Sequence, residues 1–457
     1  MSDDIALLTI AELASCIRDG DLSPVDITQA YLDRIQRLDD TLHSFNCVMG
    51  DTALLEARNA EGAIRAGHWS GPLHGIPIGI KDMIDVMGVP TTAQAVHRKQ
   101  AIAAQDAGVV VSLRQAGAVI LGKQAMSEYA VGGTQLDHAW PPPCNPWDLG
   151  KDALSSSSGG AVAVAAGLCG GAIGTETAGS IRAPAAWCGV AGLKPTNGMV
   201  STAGVLPLSP TMDCVGPLAW TVEDCAILLS GMTGAPCKEG WRNLDGAIAG
   251  LRVGVARSYF ENDPVVDPEI LAATDLAVDA LIDLGAVCVD VVLPDFDALC
   301  ATAKAISWPE EYRQYREDLA AHPDWLTEVS RSRLQDGQSY SDAEYRAALL
   351  RREEIIAELR NLMQDIDLLI LPTLKKPAQP RGFEFTDLGK TNLDLTRPFN
   401  LTGGPALTMC HGFSDEGLPL SLQIIGRHDE DTLVLRAGHA LEQALGVRNR
   451  RPQIATL

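Results

Sequence analysis

Several features that mark other protein classes are missing from this sequence. Its eleven cysteines include no C-x-x-C pair, so neither a disulfide framework nor a zinc site is expected, and the pattern suits a reducing compartment. The first residues, MSDDIALLTIAELA, lack a basic segment followed by an apolar one, which predicts no secretory signal. No apolar run approaches the ~20 residues that span a bilayer. These absences together predict a cytoplasmic protein.

Positive charge is also scarce. The 36 Lys and Arg residues stand against 58 Asp and Glu residues, which gives a formal net charge of -22 at pH 7. Such a field repels phosphate backbones and anionic lipid surfaces, so neither nucleic acid nor a membrane is expected as a direct partner. With 46% hydrophobic and 21% charged residues, the composition is that of an ordinary globular protein.

Three common catalytic motifs are absent or incomplete. There is no H-E-x-x-H sequence and the nine histidines are scattered, so no metal site is expected. Residues 117–124 have the spacing of a phosphate-binding loop, but Gln124 replaces the hydroxyl residue that would hold magnesium, and no cofactor is predicted. No G-x-S-x-G elbow occurs, which argues against a Ser-His-Asp triad. A nucleophilic serine in this chain would need a base other than histidine.

The pattern of apolar residues indicates an α/β protein. Residues 10–38 predict two helices, with Ser23 as an N-cap and Pro24 at a first helical position. Further along, short apolar runs such as GIPIGIKD, GAVILGK, DLLILPT and LPLSLQIIG alternate with helical stretches. This alternation is typical of a sheet covered by helices.

No linker or internal repeat divides the chain, so one domain over residues 1–457 is predicted. Residues 1–70 are expected to form an N-terminal helical flank. Residues from about 300 to 365 are charged and helical in pattern, and we expect a helical insertion there. Such an insertion is most simply a solvated face, although it could shape a substrate mouth or a dimer contact.

A run of four serines and two glycines, residues 155–160, raises the first functional question. Composition alone favours a flexible linker. The residues that follow, AVAVAAGL, are small and apolar, which predicts a helix packed tightly on all sides. A linker would be badly placed directly before such a helix, so a structured loop is expected instead.

Two further stretches carry candidate chemistry. Lys81 ends an apolar strand; such a lysine is usually solvated, but burial would lower the pKa of its ammonium until the neutral amine could act as a base. Ser180 follows a run of small residues in which successive N–H groups can converge on one oxygen. That run predicts either a tight structural turn or an oxyanion hole beside a nucleophile. The run consists of Thr177, Ala178 and Gly179.

Taken in order, HGIPIGIKD, the serine tract, GTETAGSIRAPAAWCGVAGLKPT, LSPTMDCVGPLAWTVEDCAILL and GLPLSLQIIGR resemble the amidase signature family over most of the chain. The resemblance implies one α/β/α domain with a central mixed, twisted sheet covered by helices on both faces. It also implies an amidohydrolase that forms an acyl-enzyme through a Ser-cisSer-Lys triad. Ser180 would be the nucleophile and Lys81 the base.

The serine between them is assigned by spacing. Ser156 lies 24 residues before Ser180, which is the separation in the family, whereas Ser157 lies 23 before it. We therefore predict Ser156 as the cis serine and keep Ser157 as the alternative. The tract departs from the family at Leu154 and Ser155, where the family has glycines.

The resemblance also implies supporting and substrate-binding residues. Loop support is expected from Ser157, Glu176 and Arg182. The substrate pocket is expected to include Met126, Gly132, Gly133 and Trp140, with the indole as an aromatic wall. The implied substrate is a small amide, with an ester or a carbamate as further options.

Two alternative functions remain open at this point. The chain could be the glutamine-hydrolysing subunit of an amidotransferase, which would need a partner. It could instead be a noncatalytic scaffold, although a scaffold has no physical need for all three triad residues. A homodimer is a further hypothesis.

Overall fold

The computed structural model describes residues 5–131, 133, 135–136, 138–234, 244–383 and 392–456. Its strands form one eleven-stranded mixed sheet in the order β1-β3-β2-β4-β6-β5-β10-β11-β9-β7-β8. The strands are β1 Phe45–Val48, β2 Pro77–Lys81, β3 Val119–Gln124, β4 Gly171–Glu176, β5 Ala191–Lys194, β6 Cys214–Ala219, β7 Arg252–Val255, β8 Val287–Asp290, β9 Leu368–Pro372, β10 Ala406–Phe413 and β11 Pro419–Gly426.

The sheet contains two groups of parallel strands separated by antiparallel pairs. Strand β2 pairs in parallel with β3 and β4, and β7 pairs in parallel with β8 and β9. The strands between these groups pair antiparallel. The predicted α/β class and mixed sheet are therefore confirmed.

Helices make up a large part of the remaining described chain. The two predicted within residues 10–38 are confirmed, and Ser23 caps the second by accepting from the N–H of Val25 at 3.0 Å. The helices are α1 Ile10–Asp19, α2 Pro24–Leu42, α3 Gly50–Arg65, α4 Gly108–Gln115, α5 Ser158–Ala165, α6 Arg182–Cys188, α7 Val222–Thr233, α8 Pro268–Asp283, α9 Phe296–Ala321, α10 Glu328–Gln338, α11 Asp342–Leu362, α12 Arg397–Thr402 and α13 Asp431–Leu445.

The central strands are buried on both faces. Every residue of β2, β3, β4, β5, β6, β9 and β11 is buried. Because successive strand side chains point to opposite faces, the sheet must be covered on both sides, as the resemblance implied. The end strands β1 and β8 are partly exposed, as expected at the edges of a sheet.

The predicted helical segment near residues 300–365 is also present. It consists of α9, α10 and α11, and α9 packs against both of the others. None of the helices in the described ranges is long and apolar enough to cross a membrane.

Helix α5 positions the serine tract, and all its residues are buried. The N–H of Gly159 donates to the carbonyl of Ala125 at 3.1 Å. A Cβ at Gly159 would clash with the carbonyl oxygen of Ala125 and would lie 2.6 Å from that of Ser44. The tract therefore leads into a helix that touches neighbouring backbone directly, which excludes a flexible linker.

This contact predicts that Gly159→Ala destabilises the fold by about 1–3 kcal/mol, because overpacking against backbone cannot be relieved by a side-chain rotation. Gly62→Ala is the matched control, since Gly62 is exposed in α3 and nothing lies within 4 Å of its added Cβ. There the substitution should stabilise by about 0.5–1 kcal/mol. Urea unfolding of both variants measures the difference, and equal stabilities would contradict the packing described.

Candidate active site

The candidate residues meet at one edge of the sheet. Lys81 ends β2 and Glu176 ends β4, and these strands are parallel neighbours. Their carboxyl ends therefore lie at the same edge, where open α/β sheets place ligands. The N–H of Ser157, before α5, donates to the carbonyl of Ser180, before α6, at 3.2 Å. The fold thus brings the lysine, the serine tract and Ser180 together.

Three hydroxyl groups surround the buried amine of Lys81. Its Nζ lies 2.7 Å from Ser156 Oγ, 2.7 Å from Thr175 Oγ1 and 3.0 Å from Ser157 Oγ. Its fourth partner is the Thr175 carbonyl oxygen at 3.3 Å. All of the partners recorded for Lys81 are uncharged oxygens.

Two of these hydroxyl groups already use their protons elsewhere. Ser157 Oγ donates to the carbonyl of Thr175, and Thr175 Oγ1 donates to the sulfur of Met83, both at 3.1 Å. A hydroxyl has one proton to donate, so both groups can only accept from Lys81. Ser156 is left as the hydroxyl whose proton can pass to the lone pair of a neutral amine. This arrangement favours Ser156 over its alternative, Ser157.

The electrostatic setting of Lys81 differs from that of its neighbour Lys123. Burial lowers the pKa of the Lys81 ammonium well below its usual range, and the negative charges of Asp213 and Glu176 oppose that shift. Lys123, on the adjacent β3, instead lies 3.0 Å from the carboxylate of Asp82. An amine without such an ion pair loses its proton more readily, which a general base requires.

The hydroxyl of Ser180 contacts Ser155, to which the sequence assigned no role in the site. Ser155 Oγ donates to Ser180 Oγ at 3.0 Å, whereas no bond joins Ser156 to Ser180 among the hydrogen bonds of the described residues. Ser155 has a φ of 62° and Leu154 a φ of 53°, a region that favours glycine. Both positions therefore hold a side chain where the backbone suits the glycines of the family.

The peptide bonds of the described chain are all trans. This differs from the cis serine that the resemblance implied at Ser156. The trans form is favoured by about 3–4 kcal/mol at a non-proline residue. Ser156 reaches Lys81 from this trans backbone.

The turn before Ser180 leaves backbone donors free. In the part of the chain that the structure describes, the N–H groups of residues 177–180 donate to no protein acceptor. Gly179 has a φ of 132°, which only glycine adopts without strain. Unpaired N–H groups beside a hydroxyl can stabilise a developing oxyanion. The predicted oxyanion residues Thr177, Ala178 and Gly179 all belong to this turn.

A buried ion pair braces the same turn. The Glu176 carboxylate accepts from the N–H groups of Ile181 and Arg182, each at 3.0 Å, and from Arg182 Nε at 2.8 Å. Arg182 also donates to the side chains of Gln423 and Asn400. Burial alone would raise the pKa of Glu176, but the guanidinium of Arg182 holds it below the usual value. This ion pair lies at Glu176 and Arg182, the two charged positions for which loop support was predicted.

Three of the four predicted pocket residues line one small cavity. Met126, Gly133 and Trp140 border a space of about 20 Å³; Gly132, the fourth, lies outside the described residues. His138 stacks on the Trp140 ring at a centroid distance of 5.7 Å, and Lys99 Nζ lies 4.7 Å from the ring centroid. The aromatic wall therefore stands among polar groups.

Sequence reasoning missed three residues at the site. They are Ser155, the partner of Ser180; Thr175, a partner of Lys81; and Asp213, which accepts from Thr177 Oγ1 at 2.5 Å. Asp213 belongs to the stretch LSPTMDCVGP, which takes part in the family resemblance. The resemblance of that stretch could have drawn attention to Asp213, but nothing in the pattern of residues indicates that the Asp213 carboxylate contacts the turn before Ser180.

Comparisons with known proteins agree with one another. The sequence profile of the Amidase family matches residues 26–435. A glutamyl-tRNA(Gln) amidotransferase subunit from Chloroflexus aurantiacus is 36% identical over 482 residues, covering 98% of each chain. The putative amidase AmiD of Mycobacterium tuberculosis is 37% identical over 467 residues, covering 99% of this chain and 97% of that protein. The peptide amidase of Stenotrophomonas maltophilia superposes with a TM-score of 0.84 at 29% identity, covering 98% of both chains.

The buried ion pair generates a prediction about stability. Arg182→Met leaves the Glu176 charge without its partner and is expected to cost about 3–5 kcal/mol at pH 7. The double variant Arg182→Met/Glu176→Gln removes that uncompensated charge and should recover a large part of the loss. Urea unfolding of the wild type, both single variants and the double variant closes the cycle. A double variant with no recovery would show that charge pairing is not what stabilises this turn.

Proposed function

The chain belongs to the amidase family and is an amidohydrolase, and on that premise we propose that it hydrolyses a small amide through an acyl-enzyme on Ser180. In this proposal Lys81 is the general base and Ser156 carries the proton between them. The main support for this proposal is the buried amine of Lys81, which is surrounded by three hydroxyl groups. Of these hydroxyls, only that of Ser156 does not already donate its proton to another acceptor.

The proposed reaction moves one proton out and back. Ser180 Oγ attacks the carbonyl carbon while its proton passes to Ser156, whose own proton passes to neutral Lys81. The tetrahedral oxyanion accepts from the N–H groups of the 177–180 turn. The Lys81 ammonium then returns the proton through Ser156 to the leaving nitrogen, the C–N bond breaks, and water repeats the cycle to release the acid.

One link of this relay, between Ser156 and Ser180, is open in the resting structure. Catalytic hydrogen bonds often shorten only when substrate is bound. In the structure without substrate, Ser180 Oγ instead accepts a hydrogen bond from the Ser155 hydroxyl at 3.0 Å. We therefore include Ser155 among the groups that substrate binding rearranges.

The relay predicts a graded loss of activity. Ser180→Ala should abolish turnover, whereas Lys81→Ala and Ser156→Ala should each lower kcat by about 10²–10⁴-fold, the usual contribution of general acid–base catalysis. Ser157→Ala is the matched control, because its proton is engaged with Thr175, and we expect less than about a tenfold loss. Steady-state kinetics on a chromogenic amide measures all four. A Ser157 variant as impaired as the Ser156 variant would overturn the assignment.

The same relay predicts the direction of the pH dependence. Lys81 must be neutral to accept a proton, so kcat/KM should fall as pH drops below its pKa and level off above it. Since burial lowers that pKa well below the usual lysine value, the plateau should begin well below pH 10.5. A profile measured on amide and ester substrates tests this, and activity that keeps rising with slope one to pH 10 would contradict it.

Glutamine hydrolysis for a partner is the second candidate. It is favoured by the 36% identity to a glutamyl-tRNA(Gln) amidotransferase subunit over 98% of each chain. A panel of an anilide, a primary aryl amide, a nitrophenyl ester and a carbamate distinguishes the two candidates. Turnover by the purified chain, absent in Ser180→Ala, supports the stand-alone enzyme, and the ranking identifies the preferred bond. Inertness on the panel with glutamine hydrolysis after addition of a partner supports the other candidate.

A further inference from the structure

Asp213 lies immediately before β6 and reaches the turn that precedes Ser180. Its Oδ1 accepts from Thr177 Oγ1 at 2.5 Å. Its Oδ2 accepts from the N–H groups of Leu208 and Ser209 at 2.8 and 3.0 Å. The carboxylate thus joins two loops that are separate in sequence, one of which carries the free N–H groups beside Ser180.

The second loop is itself held by the helical segment. Ser209 Oγ donates to Glu310 Oε2 of α9 at 2.6 Å, and Tyr345 OH of α11 donates to Glu310 Oε1 at 2.7 Å. Tyr315 OH donates to the carbonyl of Pro207 at 2.7 Å. Asp213 is therefore presented to the turn by a loop that buried side chains hold in place.

Other side chains hold the middle of the turn and the residues that follow Ser180. Thr396 Oγ1 donates to the carbonyl of Ala178 at 2.8 Å, and Glu176 binds the N–H groups that follow Ser180. The hydrogen bond between Thr177 and Asp213 is the side-chain contact recorded at the start of the turn. Free N–H groups contribute to catalysis only when they are held in the correct place before the reaction begins.

The same carboxylate borders a cavity of about 90 Å³. Met83, Thr175 and Thr177 also line this cavity, and Thr175 is a partner of Lys81. Desolvation raises the pKa of Asp213 to about 6, while its negative charge favours protonation of Lys81. Asp213 therefore acts on both sides of the site without contacting Ser180.

We propose that Asp213 is a positioning residue: by holding Thr177, it fixes the turn whose N–H groups receive the oxyanion in the proposed function, on which this inference rests. Displacing such donors by about 1 Å costs as much as a hundredfold in rate. Substrate binding in the ground state does not require the oxyanion contact, so the loss should fall on kcat.

Thr177→Val tests the contact, because it removes the donor hydroxyl and keeps the shape of the side chain. We expect kcat to fall about 10–100-fold with KM changed less than about threefold. An aldehyde that forms a tetrahedral adduct with Ser180 should bind more weakly by a similar factor. Thr177→Ser, which retains the hydroxyl, should keep kcat within about threefold of the wild type, and Asp213→Asn should lower kcat with KM unchanged.

Thr274→Val is the matched control, since Thr274 is a buried threonine of α8 whose hydroxyl donates within its own helix. Its kcat should equal that of the wild type. Unchanged kcat in Thr177→Val, or equal loss in Thr177→Ser and Thr177→Val, would overturn the proposal. Failure of the proposed function is a separate result: it would appear as activity retained in Ser180→Ala, whatever the Thr177 variants do.

Discussion

The site depends on a lysine amine that is buried among hydroxyls rather than beside a carboxylate. Lys81 and Lys123 lie on the adjacent strands β2 and β3, but Lys81 is in register with Gln124 and Lys123 with Ile80, so their side chains leave opposite faces of the sheet. Asp82 pairs with Lys123, whereas Lys81 faces Ser156, Ser157 and Thr175. Burial lowers the pKa of both ammonium groups; the adjacent Asp82 carboxylate opposes the shift at Lys123, whereas no carboxylate of the described residues contacts Lys81, whose pKa is lowered well below its usual range. The absence of a carboxylate partner at Lys81 is what makes it the proposed base.

The remaining charges near the site are kept away from the amine by hydrogen bonds of their own. Glu176 is occupied by Arg182 and by two backbone N–H groups, and Asp213 by Thr177 and two more. Each carboxylate therefore accepts hydrogen bonds from backbone N–H groups and forms no ion pair with Lys81. The geometry of the turn and the neutral state proposed for Lys81 thus depend on the same hydrogen bonds.

Much of this arrangement could be predicted from the sequence because it depends on local patterns. Lys81 at the end of an apolar strand, the buried small-residue helix and the Ser156 spacing are all visible in short stretches. Asp213 and Ser155 were not predictable in the same way: the contact of Asp213 spans 36 residues of chain and that of Ser155 spans 25. Whether a hydroxyl donates to an amine or to a carbonyl also depends on strand register, which no single stretch specifies.

The small-residue helix α5 has a consequence for altering the enzyme. At Gly159 the helix lies directly against the backbone of Ala125 and Ser44, so no neighbouring side chain can move aside there to admit a larger residue. Libraries aimed at a new substrate would find few tolerated substitutions there. Diversity is better placed at Met126 and Trp140, which line the small cavity of the predicted substrate pocket.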